Sequence, residues 1–182
     1  MKVNREKSAV DRPWRRDFLG YSMTWHRQPK LKVSPDSVQR IRGKIRELMR
    51  KGRGCSLAKL IGQLVPLLRG WINYFRLSSV KIDFEQLDEW IRRRLRCVIW
   101  RHWKKPRTRV KRLIERGIGR EAAKVSAYNG HGPWWNAGAS HMHLAFPAKW
   151  FTQQGLISLL THHQRFQNFS RTAVCRPART VV

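Results

Sequence analysis

Residues 56 to 76, SLAKLIGQLVPLLRGWINYFR, form one continuous apolar-periodic segment, and no other stretch restricts the fold as tightly. Leu57, Leu60, Ile61, Leu64, Leu68, Trp71, Ile72 and Phe75 recur three or four residues apart, which puts them on one face of a helix. Ser56 sits at the N-cap position, where its hydroxyl can accept an orphan N–H of the first turn. Pro66 removes a backbone donor inside the pattern and predicts a bend. A buried helix ending in Trp71-Ile72-Asn73-Tyr74-Phe75, with Arg69 beside them, is predicted to be the hub of a small helical domain.

The flanks follow from local signals. Phe18 to Trp25 alternates apolar and polar residues and predicts a strand, paired as a hairpin with Lys30-Leu31-Lys32-Val33. Such a hairpin is marginal alone and needs a surface to rest on. Ser34-Pro35-Asp36 predicts a helix start, with Val38, Ile41, Ile45, Leu48 and Met49 as its buried stripe and Gly52 and Gly54 as its stop. Asp83-Phe84-Glu85-Gln86 reads as a capping box opening a helix to about Lys105, where Pro106 ends it. Its apolar face is Phe84, Leu87, Ile91, Leu95 and Val98; Arg93, Arg96, Trp100 and Lys104 are predicted on the opposite side. Shorter helices are expected at 107–116 and 120–128. Residues 129–149 are rich in Gly, His and Trp, and a last helical segment, 147–162, is interrupted at Gly155.

Charge narrows the partner. The chain carries 39 Lys+Arg against 11 Asp+Glu, a formal net charge of +28 over 182 residues. Such an excess points to a polyanion. Between residues 92 and 116, twelve Lys+Arg meet one acid, Glu115. The i,i+4 pairs Asp88–Arg92 and Glu89–Arg93 are expected to occupy two arginines as helix supports and leave the rest without acids. Nine tryptophans interleaved with arginines suit stacking on unpaired bases as well as core packing. No apolar run approaches the roughly 20 residues of a spanning helix, and the N-terminal residues have no signal-peptide pattern. Cys55, Cys97 and Cys175 lie far apart without a C-x-x-C, so free thiols in a reducing cytosol are expected.

Chemistry-bearing patterns are sparse. His131, His141, His143, His162 and His163 match no zinc spacing, and carboxylates end at Glu121, so no metal is expected. The five aspartates are scattered, with no pair for two metal ions, no Gly-rich phosphate loop and no Ser–His–Asp order. The chain alone is therefore expected not to be an enzyme, and no cofactor is implied.

Pro66 to Phe75, with Leu68-Arg69-Gly70-Trp71-Ile72-Asn73-Tyr74-Phe75 at its centre, resembles the signature of the maturase-specific region (domain X, the thumb) of group II intron reverse transcriptases. Phe18-Leu19-Gly20-Tyr21 is similar to the strand closing that family's last reverse-transcriptase block. Arg93-Arg94-Leu95-Arg96, Trp100 to Pro106, Gly132-Pro133-Trp134-Trp135 and Gln154-Gly155-Leu156 follow in the order seen in bacterial members. The resemblance spans about residues 12 to 160. It implies a C-terminal piece of an intron-encoded protein, because the catalytic Tyr-Ala-Asp-Asp lies upstream of the Phe-Leu-Gly strand in the family.

The expected fold is mainly α: a three-helix thumb-like bundle with a short N-terminal hairpin remnant and a small irregular C-terminal lobe. The divisions are a flexible 1–11, the palm-strand remnant 12–33, the thumb 34–116, a Trp/His-rich lobe 117–162 and a basic tail 163–182. The expected function is binding of group II intron RNA to assist splicing and mobility in a bacterial cytoplasm. Candidate RNA-binding residues are Arg42, Arg46, Arg50, Arg69, Asn73, Arg76, Arg93, Arg96, Trp100, Lys104, Lys105, Arg107 and Arg109. A DNA target, a primer–template and a separately encoded reverse-transcriptase palm are further partners the resemblance implies. Three other readings stay open: a non-functional truncated remnant, the C-terminal half of a split reverse transcriptase, and a general basic DNA-binding module.

Overall fold

The structure, a computed structural model, describes residues 11–52 and 54–174, with side chains to 168. The expected flexible N-terminus, apart from Asp11, and Cys175 lie outside the described residues. The fold is mainly helical with a short antiparallel hairpin, β1 (Tyr21–Met23) and β2 (Leu31–Val33), in register Tyr21 to Val33.

Helix α1 (Pro35–Lys51) starts where the sequence says it must: the Ser34 hydroxyl accepts the Ser37 N–H, and Asp36 sits in the first turn. Helix α2 (Leu57–Tyr74) is capped by Ser56, which accepts the Lys59 N–H at 3.3 Å, and runs through Pro66. Its Leu60, Ile61, Leu64, Leu68 and Ile72 are buried, and all of these but Leu60 share one core cluster with Ile41, Ile45 and Met49 of α1. Each fully buried Leu or Ile contributes about 1.5–3 kcal/mol, which makes this seam the main driving force of the bundle.

The hairpin rests on the end of α2. Tyr21 donates its hydroxyl to the Tyr74 carbonyl at 2.6 Å, and Tyr74 donates its own to the Leu19 carbonyl at 2.9 Å. Gly20 adopts φ +78° with Ser37 and Phe75 closing over it; a Cβ there would meet the Ser37 hydroxyl oxygen at 2.6 Å, so glycine is required. Phe18 and Leu19 stay exposed.

Helix α3 (Ile82–His102) departs from expectation in three ways. Lys81, not Asp83, occupies the N-cap, without a side-chain bond; Asp83 lies in the first turn, where burial raises its pKa. The helix ends at His102, so Lys104 is not on it. It is also buried on more than one face: Phe84, Leu87, Ile91 and Leu95 join the bundle core, while Arg96 and Trp100 turn toward the C-terminal helices. The hub role expected of α2 is thus shared with α3.

Helices α4 (Pro106–Glu115) and α5 (Arg120–Tyr128) follow as expected. The Gly/His/Trp-rich stretch holds two short helices, α6 (Pro133–Gly138) and α7 (Ser140–Ala145), and the last helical segment begins as expected with α8 (Ala148–Gln153), broken at Gly155. The region read as a basic tail from residue 163 is helical as far as Val174, within α9 (Leu159–Val174), which packs on α2 and α3.

Two buried polar groups fix α9. Asp88 of α3 is 5% exposed and accepts from the Leu159 N–H at 3.0 Å, the Leu160 N–H at 3.2 Å and the Ser158 hydroxyl at 2.7 Å. It therefore caps α9 from across the bundle rather than pairing with Arg92. His163 is fully buried, stacks on Phe84 with ring centroids 4.6 Å apart, and donates Nε2–H to the Ser78 carbonyl at 2.6 Å. Burial holds its pKa below 6.5 despite the Ser78 bond, so it is neutral when folded. The unfolded chain takes up that proton more readily, so this stability is complete above about pH 6.5 and is lost as pH falls through the lower folded value. Urea midpoints are expected to drop on acidification from roughly pH 7.5 to pH 5. His163→Gln should flatten part of that drop, with His141, also lowered by burial, supplying part of the remainder.

Candidate nucleic-acid interface

Arginines from α1 and α3 converge on two tryptophans. Trp90 of α3 is covered by the guanidinium carbons of Arg94, Arg46 and Arg42 at 5.1, 5.5 and 5.7 Å from the ring centroid. Trp134 of α6 is covered by Arg93 at 4.3 Å and Arg94 at 5.0 Å. Arg94 bridges both rings, so the groups form a continuous ladder across three helices. Arg93 also donates to the Trp134 carbonyl at 3.3 Å, lying where a Cβ on Gly138 would meet its guanidinium at 2.7 Å.

The helical repeat explains the convergence. Arg42 and Arg46 are one turn apart on α1, and Trp90 and Arg94 one turn apart on α3, so each helix presents a matched pair. Cation–π contact holds the guanidiniums in place without using up their N–H groups, of which Arg93 spends one on the Trp134 carbonyl.

Among the described residues none of these arginines forms an ion pair, and the one acid within electrostatic reach is the half-buried Asp83, which acts on Arg42. The Nε atoms of Arg42, Arg93 and Arg94 are buried without a hydrogen-bond partner among the described residues. Burial first, then the positive charge of Arg46, pulls the Arg94 pKa below its usual value. The ion pairs among the described residues lie elsewhere, at Lys51–Glu47, Arg112–Glu115 and Lys124–Glu121. Those buried Nε atoms are closed to a ligand, but like charges held together with Arg46 exposed among them form a seat for an anion, and planar guanidiniums suit phosphate oxygens.

The structure gathers only part of the candidate set. Arg42, Arg46 and Arg93 are in the ladder. Arg50 is exposed at the end of α1, and Lys104, Lys105 and Arg107 are exposed at the link into α4 and its first turn. Arg109 is half-buried, donates to the Trp103 carbonyl at 2.9 Å and covers Trp100 at 4.6 Å. Arg69, Asn73 and Arg76 are exposed at the far end of α2; Arg69 lies near His162 of α9, away from the ladder.

Two candidates are corrected. Arg96 is 3% exposed and Trp100 fully buried, so neither presents a surface to RNA. Arg96 donates Nε–H to the Phe146 carbonyl at 3.0 Å and Nη1–H to His143 Nε2 at 3.3 Å, tying α3 to the C-terminal helices. Desolvation, then Arg92, lowers its pKa to about 10, and it stays charged at neutral pH. Arg96→Ala is expected to lower stability by about 2 kcal/mol through the unpaired Phe146 carbonyl and lost packing. It should leave the salt dependence of RNA binding unchanged, which denaturation and binding titrations check together.

Arg94, Trp90 and Trp134, which the structure adds to the cluster, are not among the candidates the sequence offers. The i,i+4 spacing of Trp90 and Arg94 was visible; the arrival of Trp134 from a distant helix was not.

Residues 38–117 match the family model described as the group II intron, maturase-specific domain. Over that segment the chain is similar to a maturase-specific domain. The match runs from α1 to the glycine after α4. It includes every rung of the ladder except Trp134, which the C-terminal helices contribute. The Phe-Leu-Gly-Tyr strand and the Gly-Pro-Trp-Trp run lie outside it. No curated protein matches the chain. Among the described residues no helix is long and apolar enough to cross a membrane, and no three of His, Cys, Asp or Glu gather at one point.

Proposed function

We propose that the maturase-specific domain binds structured group II intron RNA through its phosphate backbone and so supports folding of the intron toward splicing. The observation that carries this reading is the ladder of Arg42, Arg46, Arg93 and Arg94 on Trp90 and Trp134, cationic and without an ion pair among the described residues. The matched segment is the maturase-specific, non-polymerase part of such proteins, so the function sought is binding rather than polymerisation. Lys104, Lys105 and Arg107 extend the cationic surface beyond the ladder. Arg50, Arg69, Asn73 and Arg76 are peripheral contacts in this reading.

Guanidiniums in fixed positions recognise phosphates by geometry as well as charge, whereas flexible lysines supply mainly counterion release. A structured RNA, whose phosphates lie at irregular but defined positions, is the polyanion that gains most from a rigid cluster. The test is competition: labelled intron RNA bound to the protein is challenged with unlabelled intron RNA or with duplex DNA of equal phosphate number. The reading expects intron RNA to displace the probe at much lower concentration. Equal displacement by duplex DNA would instead assign a general basic DNA-binding module.

A further inference from the structure

Beside the ladder lies an aromatic ledge that phosphate binding does not use. Trp135, next in sequence to Trp134, is 50% exposed, and the exposed His131 stacks on it with ring centroids 3.9 Å apart and planes 28° from parallel. This half-exposed ring is held in place. Asn136 is fully buried; its amide donates to the carbonyls of His131 and Gly132 at 2.9 and 3.2 Å. It also exchanges hydrogen bonds with the Asn129 side chain at 2.9 and 3.1 Å, while Asn129 accepts the His131 N–H at 3.2 Å. The 129–132 loop is thereby clamped to α6, and the clamp sets the His131 ring against Trp135.

We infer that the His131–Trp135 stack is a platform for an unpaired base, with the adjoining phosphates held by Arg93 and Arg94 beside Trp134, so that the domain grips a single-stranded stretch of RNA at this edge. The inference rests on the RNA-binding reading and adds the class of RNA element recognised there. Three features favour it. Every base has a π face, and stacking on aromatic side chains is how proteins hold unpaired nucleotides without reading sequence. A base locked in a duplex offers no such face except at its ends. No acidic side chain follows Glu121 in the chain, so none on α6 itself or on α7, which packs against it, repels a phosphate.

The experiment compares a short unstructured oligoribonucleotide with a hairpin-closed RNA duplex of equal phosphate number, by fluorescence anisotropy, for the full chain and its variants. Trp135→Ala and His131→Ala are expected each to weaken single-strand binding by about tenfold, the effect of losing one stacked base. Both should leave duplex affinity unchanged, and Trp135→Phe should recover most of the single-strand affinity. Unchanged single-strand binding by Trp135→Ala overturns the inference, as does an equal loss on strand and duplex. Wild-type protein that binds neither RNA overturns the RNA reading itself; tight wild-type binding with a neutral Trp135→Ala removes only the platform. If Trp135→Ala loses its helical circular dichroism, His131→Ala and Trp135→Phe carry the same comparison.

Discussion

Changing Arg42, Arg46, Arg93 and Arg94 together to Gln is expected to weaken intron RNA binding by on the order of a hundredfold or more at moderate salt, since each removes a phosphate contact and its counterion release. The fold should survive. Cation–π contacts at such partly exposed sites contribute about 0.5–1 kcal/mol each, and their loss is offset where Arg94 no longer meets the charge of Arg46. A control variant with the exposed Lys59, Arg120, Lys124 and Lys149 changed to Gln loses the same net charge away from the ladder. It is expected to lose far less affinity. Anisotropy titrations of both variants against one RNA separate a positioned site from bulk charge.

The largest effect on stability is expected at Asp88. Its buried carboxylate accepts from two backbone N–H groups and one hydroxyl at the start of α9, where the helix dipole favours negative charge. Asp88→Ala strands those donors and is expected to cost about 3 kcal/mol, the upper range for a group making charge-assisted bonds. Asp88→Asn keeps one acceptor oxygen and should cost about half as much. Because His163 and its stack on Phe84 belong to the same helix, the loss should appear as partial release of α9. Urea denaturation read by helical ellipticity checks the magnitude, and amide exchange along α9 checks the location. A variant as stable as wild type, with α9 still protected, contradicts the role given to Asp88.

What could be read from the sequence, and what could not, divides along the range of the interactions. Ser34 and Ser56 cap the helices that follow them, and the Leu60–Leu64–Leu68–Ile72 stripe is buried as its periodicity demands; these are interactions within a few residues. Asp88 is different. Its spacing to Arg92 suits an i,i+4 pair, yet its partners are about seventy residues away in sequence. Arg96 and Trp100 were placed by assuming one buried face on α3, and the C-terminal helices cover a second. Arg42, Arg46 and Arg93 are candidates on charge alone, because arginines without acids stand out in any order. Their arrangement on Trp90 and Trp134 depends on how α1, α3 and α6 meet, which no local pattern encodes.

The salt dependence of that same binding addresses the central claim most directly. The logarithm of the association constant for intron RNA is measured against the logarithm of salt concentration, for wild type, the ladder variant and the matched-charge control. If the ladder arginines sit on phosphates, the slope for the ladder variant is shallower than wild type by about 3, and the control stays close to wild type. Parallel lines for wild type and the ladder variant would contradict the account, since they would mean that these four guanidiniums release no counterions and that the RNA, if it binds, binds elsewhere.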